Sequence, residues 1–140
     1  MLDKPVLVDA GPVIAFYSQD DAYHTACRQQ MDVMPVGKAY TCWPVIVEAT
    51  YMLRNQFAQR DDLLQSVRNG ILTLLCLRAS ELDSVCDILK KYHDQQIDLA
   101  DACLLYLADR ENIHSVLTLD RRHFSILRRA NGDTLNILPE

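Results

Sequence analysis

Short apolar runs punctuate this chain, with longer amphipathic segments between them. Pro5-Val6-Leu7-Val8-Asp9 reads as a buried strand, and the turn at Gly11-Pro12 starts a short helix through Ile14-Ala15-Phe16. Asp20 or Asp21 is placed to cap a second helix over about 22–33, since Asp is a favoured N-cap. Met34-Pro35-Val36-Gly37 breaks that helix. Residues 39–42 read as a short strand. Pro44 suits the first helical position, where its missing N–H costs nothing, and the helix it opens is expected to run to about Gln59. Asp61 opens another helix, ending near Gly70. Residues 71–77, rich in Ile and Leu, read as a buried strand. Ser80 is placed to cap a helix to about Tyr92, with Leu82, Val85, Leu89 and Tyr92 on one face. Asp98 starts the next helix, to about Asn112. Ser115 to Thr118 is a strand, Asp120 begins a short helical turn, and Leu135 to Leu138 is a last edge strand. Strands alternating with helices predict an α/β fold, with a mainly parallel sheet covered on both faces.

Against that apolar pattern, four acids stand out. Asp9 and Asp120 each follow a strand, where open α/β sheets place their chemistry. Glu48 lies in Trp43-Pro44-Val45-Ile46-Val47-Glu48-Ala49, with apolar residues round most of the helix. Asp101 is the single charge in Leu99-Ala100-Asp101-Ala102-Cys103-Leu104-Leu105, and a helix apolar almost all round is a buried one. Each acid also has a structural reading. Asp9 could bond backbone N–H groups at the next helix start, and Asp120 could cap Arg121-Arg122-His123-Phe124. Asp101 could complete a cap begun by Asp98, three residues before it, and Glu48 could lie on an exposed stripe with Asn55 and Arg54. Together the four are costly to bury unless a cation joins them. Oxygen donors without thiolates or clustered His suit Mg²⁺ or Mn²⁺, and such ions serve phosphodiester hydrolysis. Thr118 is placed to hold a carboxylate through its hydroxyl.

Composition adds boundaries. A length of 140 residues with 49% hydrophobic and 24% charged residues suits one domain, 1–140. No apolar stretch is long enough to span a bilayer, and Met1-Leu2-Asp3-Lys4 lacks a signal-peptide plan, so a cytoplasmic protein is expected. Cys27, Cys42, Cys76, Cys86 and Cys103 form no C-x-x-C pair and are expected as reduced core residues. A net charge of −5 argues against strong nonspecific nucleic-acid binding, although bound cations would reverse the sign at an acidic pocket. Arg121, Arg122, Arg128 and Arg129 are RNA-contact candidates at the mouth of the site, or a solvated face. Trp43 and Tyr40 are expected to pack in the core rather than stack on a base. His24, His93, His114 and His123 show no metal spacing and are expected in structural positions.

The motifs Val8-Asp9-Ala10-Gly11-Pro12, Trp43-Pro44-Val45-Ile46-Val47-Glu48-Ala49, Asp98-Leu99-Ala100-Asp101-Ala102 and Leu117-Thr118-Leu119-Asp120-Arg121-Arg122-His123-Phe124 resemble a PIN domain. More narrowly they resemble VapC-type toxin ribonucleases of toxin–antitoxin pairs. The likeness spans nearly the whole chain, and Thr-x-Asp followed by Phe is its most specific part. It implies a three-layer α/β/α fold and Mg²⁺- or Mn²⁺-dependent endoribonuclease action on RNA. Asp9 and Asp101 would be direct metal ligands, Glu48 and Asp120 would complete the coordination or orient water, and Asp98 is a lesser member. It further implies a homodimer and a cognate antitoxin that covers the groove. Many relatives carry Ser or Thr where this chain has Ala10, which removes a hydroxyl that would orient water. The competing readings are a catalytically idle PIN-like scaffold and a small phosphatase with Asp9 as nucleophile.

Overall fold

The computed structural model describes residues 4–139. The expectation attached to Met1-Leu2-Asp3 lies outside the described residues. Five parallel strands form one sheet in the order β3-β2-β1-β4-β5: β1 Val6–Val8, β2 Ala39–Thr41, β3 Thr73–Leu74, β4 Ser115–Leu117 and β5 Asn136–Leu138. Among the described residues seven α-helices flank it: α1 Ala10–Tyr17, α2 His24–Asp32, α3 Trp43–Met52, α4 Phe57–Arg68, α5 Leu82–Lys91, α6 Leu99–Glu111 and α7 Arg121–Ile126. This is the three-layer α/β/α arrangement expected from the alternation of elements. No helix among the described residues is long and apolar enough to cross a membrane.

The sheet explains the apolar runs. Leu7, Val8, Val116 and Leu117 are fully buried, as strands covered on both faces require. Strand order runs outward in both directions from β1, so the switch of direction falls between β1 and β4. A crevice at such a switch point lies outside the carboxyl ends of the strands. Asp9 leaves β1 there, and its N–H donates to Leu117 O at 2.9 Å, carrying the β1–β4 pairing to the rim. α6 is the most buried helix: Ala100 to Leu105, Leu107 and Ala108 are all buried. Asn112 ends it in the left-handed region (φ 54°), a conformation Asn tolerates at a helix end. Truncating a fully buried core residue such as Leu104 would cost about 2–5 kcal/mol.

Several boundaries differ from expectation. The helix opened by Trp43-Pro44 ends at Met52, not near Gln59, and α4 starts at Phe57. Arg54 N–H bonds back to Tyr51 O and Gln56 N–H to Leu53 O, closing a turn that buries Leu53 completely. The strand expected over 71–77 is only Thr73–Leu74, because pairing with β2 stops once β2 gives way to α3 at Trp43. Neither Asp20 nor Asp21 caps α2, whose N-cap is Tyr23; Asp21 Oδ1 accepts from Tyr23 N–H one turn earlier. Ser80 does not cap α5 either. A 3₁₀ turn over Ala79–Glu81 precedes that helix, and Glu81 Oε1 accepts from Arg78 N–H. Cys27, Cys42 and Cys103 are buried, but Cys76 and Cys86 are exposed, one in the loop after β3 and one on the outer face of α5. All five thiols are free, and burial pushes Cys42 up to about 12 and Cys103 to about 11.

Candidate active site

Four separate elements meet at the switch point. Asp9, Gly11, Glu48, Asp98, Asp101, Leu119, Asp120 and His123 line one open cleft of about 370 Å³. The four principal acids and Asp98 are therefore brought together, although Asp9 and Asp120 stand near opposite ends of the sequence. Asp9 and Asp101 are buried, at 9% and 5% exposure, while Glu48 and Asp98 are exposed to solvent.

Local structure holds each carboxylate. Asp9 is the N-cap of α1: its Oδ1 accepts from Ala10 N–H at 2.8 Å. Its Oδ2 accepts from the Thr118 hydroxyl at 2.8 Å. That same hydroxyl oxygen accepts from Asp120 N–H at 2.9 Å, so Thr118 ties the two post-strand acids together. Asp98 and Asp101 form a reciprocal cap on α6, with Asp101 N–H donating to Asp98 Oδ1 at 2.9 Å and Asp98 N–H to Asp101 Oδ2 at 3.2 Å. Asp120 caps α7 by accepting from His123 N–H at 3.2 Å. The structural readings of Asp9, Asp98, Asp101 and Asp120 thus hold at the same time as their convergence. Capping fixes the carboxylates on the helix N-termini that face the cleft, where the dipole favours anions.

Electrostatics sets this cleft apart. Burial pushes Asp9 up from its ordinary value, and Asp98 and Asp120 add to that, against the bonds from Ala10 and Thr118. Burial, then the charges of Asp98 and Asp9, push Asp101 up to about 7. Burial raises Glu48 too, followed by the charges of Asp98 and Asp9. Like charges facing one another out of water favour protonation, or a cation in their midst.

His123 is the residue that sequence reasoning missed. Its Nδ1 is buried, 2.8 Å from Asp120 Oδ2 and 3.0 Å from Asp101 Oδ2, yet the angles make neither contact a hydrogen bond. The available signal was its spacing: three residues beyond an N-capping Asp, on a helix, it must face the same way as that Asp. The other histidines hold structural positions. His24 Nδ1 meets Ala15 O, His93 Nδ1 meets Lys90 O, and His114 pairs with Arg129.

Other candidates are redistributed. Arg121 is exposed and donates to Pro139 O, and Arg122 is exposed beside it; neither lines the cleft. Arg128 donates to Ser125 O, folding back on α7. Arg129 is not at the mouth. It is buried, paired with Asp109 at 3.1 Å, and lines a cavity with Lys4, Pro5 and Ser115 at the other end of the strands. Tyr40 packs against the core as expected, but Trp43 is 51% exposed. It shares one face of α3 with Val47 and Tyr51, turned away from the core-facing Val45, Ile46 and Ala49, and forms with Leu99 an apolar shelf that adjoins Glu48 and Asp98.

Whether these residues suit a divalent ion turns on donor chemistry. Hard carboxylate oxygens that repel one another fit Mg²⁺ or Mn²⁺, and a buried nitrogen lacking a hydrogen-bond partner fits the second of these. Among the described residues, no three His, Cys, Asp or Glu side chains yet surround a single point. Holding an ion there would require a side-chain adjustment.

Comparison with known proteins sharpens the assignment. No family model matches the chain. The chain is 29% identical over 136 residues to ribonuclease VapC26 of Mycobacterium tuberculosis (strain ATCC 25618 / H37Rv), a match covering 96% of this chain and all of that protein. Its fold is similar to the crystal structure of Mycobacterium tuberculosis VapC20, a Sarcin-Ricin loop cleaving toxin, with a TM-score of 0.75 at 15% identity over 86% of this chain and 93% of that one. It is similar also to a toxin–antitoxin complex from Klebsiella pneumoniae, with a TM-score of 0.67 at 13% identity over 87% and 92% of the two chains. By sequence likeness over nearly its whole length the chain is similar to a VapC ribonuclease, and its fold is that of solved VapC-type toxin structures.

Proposed function

We propose that this protein is a divalent-metal-dependent endoribonuclease, the toxin of a toxin–antitoxin pair, that hydrolyses RNA phosphodiester bonds. One observation carries the reading: Asp9, Glu48, Asp101 and Asp120, from four separate elements, line one cleft at the switch point of the sheet. The likeness to VapC26 supports the ribonuclease activity. Asp9 and Asp101 would hold Mg²⁺ or Mn²⁺ with Glu48 and Asp120, and the ion when bound supplies an activated water and neutralises charge on the leaving oxygen.

The chain's own residues prepare that chemistry. Thr118 and the Ala10 N–H fix both oxygens of Asp9, so this carboxylate is oriented before substrate arrives. Ala10 offers no hydroxyl, and the Thr118 hydroxyl is the one that reaches Asp9. Glu48 is exposed and makes no hydrogen bond to another side chain among the described residues. It is free to accept a proton from the attacking water or to orient it. Asp98 holds Asp101 in place through the reciprocal cap. Arg121 and Arg122, exposed at the start of α7 next to Asp120, would contact RNA phosphates flanking the cleft.

The partners follow from the same reading. The neighbour solved as a toxin–antitoxin complex supports a cognate antitoxin. The exposed apolar shelf of Trp43, Val47, Tyr51 and Leu99 beside the acids is a surface that a protein partner, antitoxin or second copy, would cover. The test is to incubate the purified protein with cellular RNA in Mg²⁺, in Mn²⁺ and in EDTA, and to sequence the ends produced. New ends are expected only with metal and only from protein with Asp9 and Asp101 intact. Cleavage that persists in EDTA, or that Asp101→Asn leaves unchanged, overturns the proposal. An idle scaffold would give no new ends under any condition.

A further inference from the structure

His123 makes two close contacts that are not hydrogen bonds. Its Nδ1 lies 2.8 Å from Asp120 Oδ2 and 3.0 Å from Asp101 Oδ2, it is shielded from water, and neither oxygen lies where a ring N–H would point. Such a nitrogen is an anomaly for a structural histidine. Buried polar atoms are normally paired, and leaving one unpaired costs about 1–3 kcal/mol. The three other histidines of the chain each find a hydrogen-bonding partner.

The spacing has another meaning. Adjacent donors of one octahedral ion with bonds of about 2.1 Å are about 3.0 Å apart, and their lone pairs point at the ion rather than at each other. The separations of 2.8 and 3.0 Å with poor hydrogen-bond angles are those of neighbouring ligands, not those of a hydrogen-bonded ion pair. The position follows from the sequence. Asp120 caps α7 and faces the cleft, so the residue three further on shares its face, and Phe124 next to it, fully buried, locks the helix in rotation.

We propose that His123 Nδ1 is a further ligand of the divalent ion in this cleft, beside Asp101 and Asp120, and that it tilts the site toward Mn²⁺ over Mg²⁺. The inference rests on the metal-dependent reading above. Mg²⁺ takes oxygen donors almost exclusively, whereas an imidazole nitrogen raises affinity for first-row transition ions. A site of carboxylates alone would lack that bias.

The test reads the bound ion directly. Mn²⁺ is added to the full-length protein and its electron spin echo is recorded, once with natural nitrogen and once with ¹⁵N-labelled histidine. The proposal expects a ¹⁴N modulation on Mn²⁺ that changes with the label and vanishes in His123→Ala and His123→Gln. Mn²⁺ affinity by calorimetry is expected to fall about tenfold in these variants, with a smaller change for Mg²⁺, so the Mn²⁺/Mg²⁺ ratio narrows. His123→Gln keeps much of the side-chain volume, and the spectrum of the unsubstituted protein decides the matter even if a variant fails to fold. Mn²⁺ bound in an Asp101-dependent way but without histidine modulation overturns the His123 ligand and leaves the nuclease reading standing. No Mn²⁺ uptake, or uptake indifferent to Asp101→Asn, overturns both.

Discussion

Two charged clusters on α6 and its neighbours show what the same residue types do in opposite surroundings. At the N-terminal end of α6, Asp101 faces Asp98, Asp9 and Asp120, and burial with like charge pushes it up to about 7. Near the C-terminal end, Glu81 accepts from the Tyr106 hydroxyl at 2.6 Å, from Arg78 N–H at 2.9 Å and from Arg110 Nη1 at 3.1 Å. These bonds hold Glu81 well below the usual carboxylate range, down to about 2, the Tyr106 bond contributing most. Arg110 also donates to Cys76 O, which fastens the loop after β3 to α6. One cluster is satisfied and serves the fold. The other is left in conflict, and folded proteins keep such conflict where a ligand relieves it.

The contrast breaks first at Asp101. Asp101→Asn is expected to lower RNA cleavage about a thousandfold or more, since several kcal/mol of transition-state stabilisation go with a metal ligand at about 1.4 kcal/mol per tenfold. The melting temperature should hold or rise, because the amide oxygen can still accept from Asp98 N–H while the repulsion with Asp9 and Asp98 is gone. Cleavage assays paired with calorimetry check both halves, and a large loss of stability would mean that the carboxylate is structural. The relief itself is measurable next. At a hundred times its dissociation constant, Mn²⁺ should add about 2.7 kcal/mol of stability to the unsubstituted protein, and this gain should disappear when Asp9 and Asp101 are both changed to Asn.

The same contrast marks what could be read from sequence. The acids were legible because each interrupts an apolar segment, and Asp9 and Asp120 each follow a strand that the apolar runs identify. Topology made the convergence foreseeable, since parallel strands end at one edge. His123 was not legible as a site residue, because no second histidine stands at metal spacing and its role depends on the rotation of α7. Arg129 misled in the opposite direction. Next to Arg128 it looks like a solvated face, but it is buried against Asp109 and His114. Trp43, just before a helix, reads as a core residue, whereas the Val45/Ile46/Ala49 face of α3 already fills that side. Helix ends at Met52 and Phe57 escaped detection because no Gly or Pro marks the turn between them.

The satisfied cluster offers the smaller effects. Arg110→Ala removes the ion pair with Glu81 and the bond to Cys76 O, and should lower the melting temperature by a few degrees, a domain of this size shifting about 2–4 °C per kcal/mol. Cleavage should stay unchanged, because Arg110 does not line the acidic cleft. A fall in activity without a fall in melting temperature would show the two clusters to be linked along α6 and would undo the division between them.

Acid titration gives the finest distinction. Glu81 titrates lower in the folded chain, at about 2 against an ordinary 4.5, so the unfolded chain binds the proton first as pH falls. The stability it contributes is complete above about pH 4.5 and is lost as pH drops towards 2. Glu81→Gln should therefore flatten the acid limb of the stability curve between those values, followed by circular dichroism, with the Tyr106 and Arg110 contacts weakened but not replaced by a charge-dependent bond. At neutral pH the substitution should destabilise modestly and leave RNA cleavage intact. An acid limb as steep as that of the unsubstituted protein would mean that Glu81 is not bound this way, and the satisfied half of the comparison would fall.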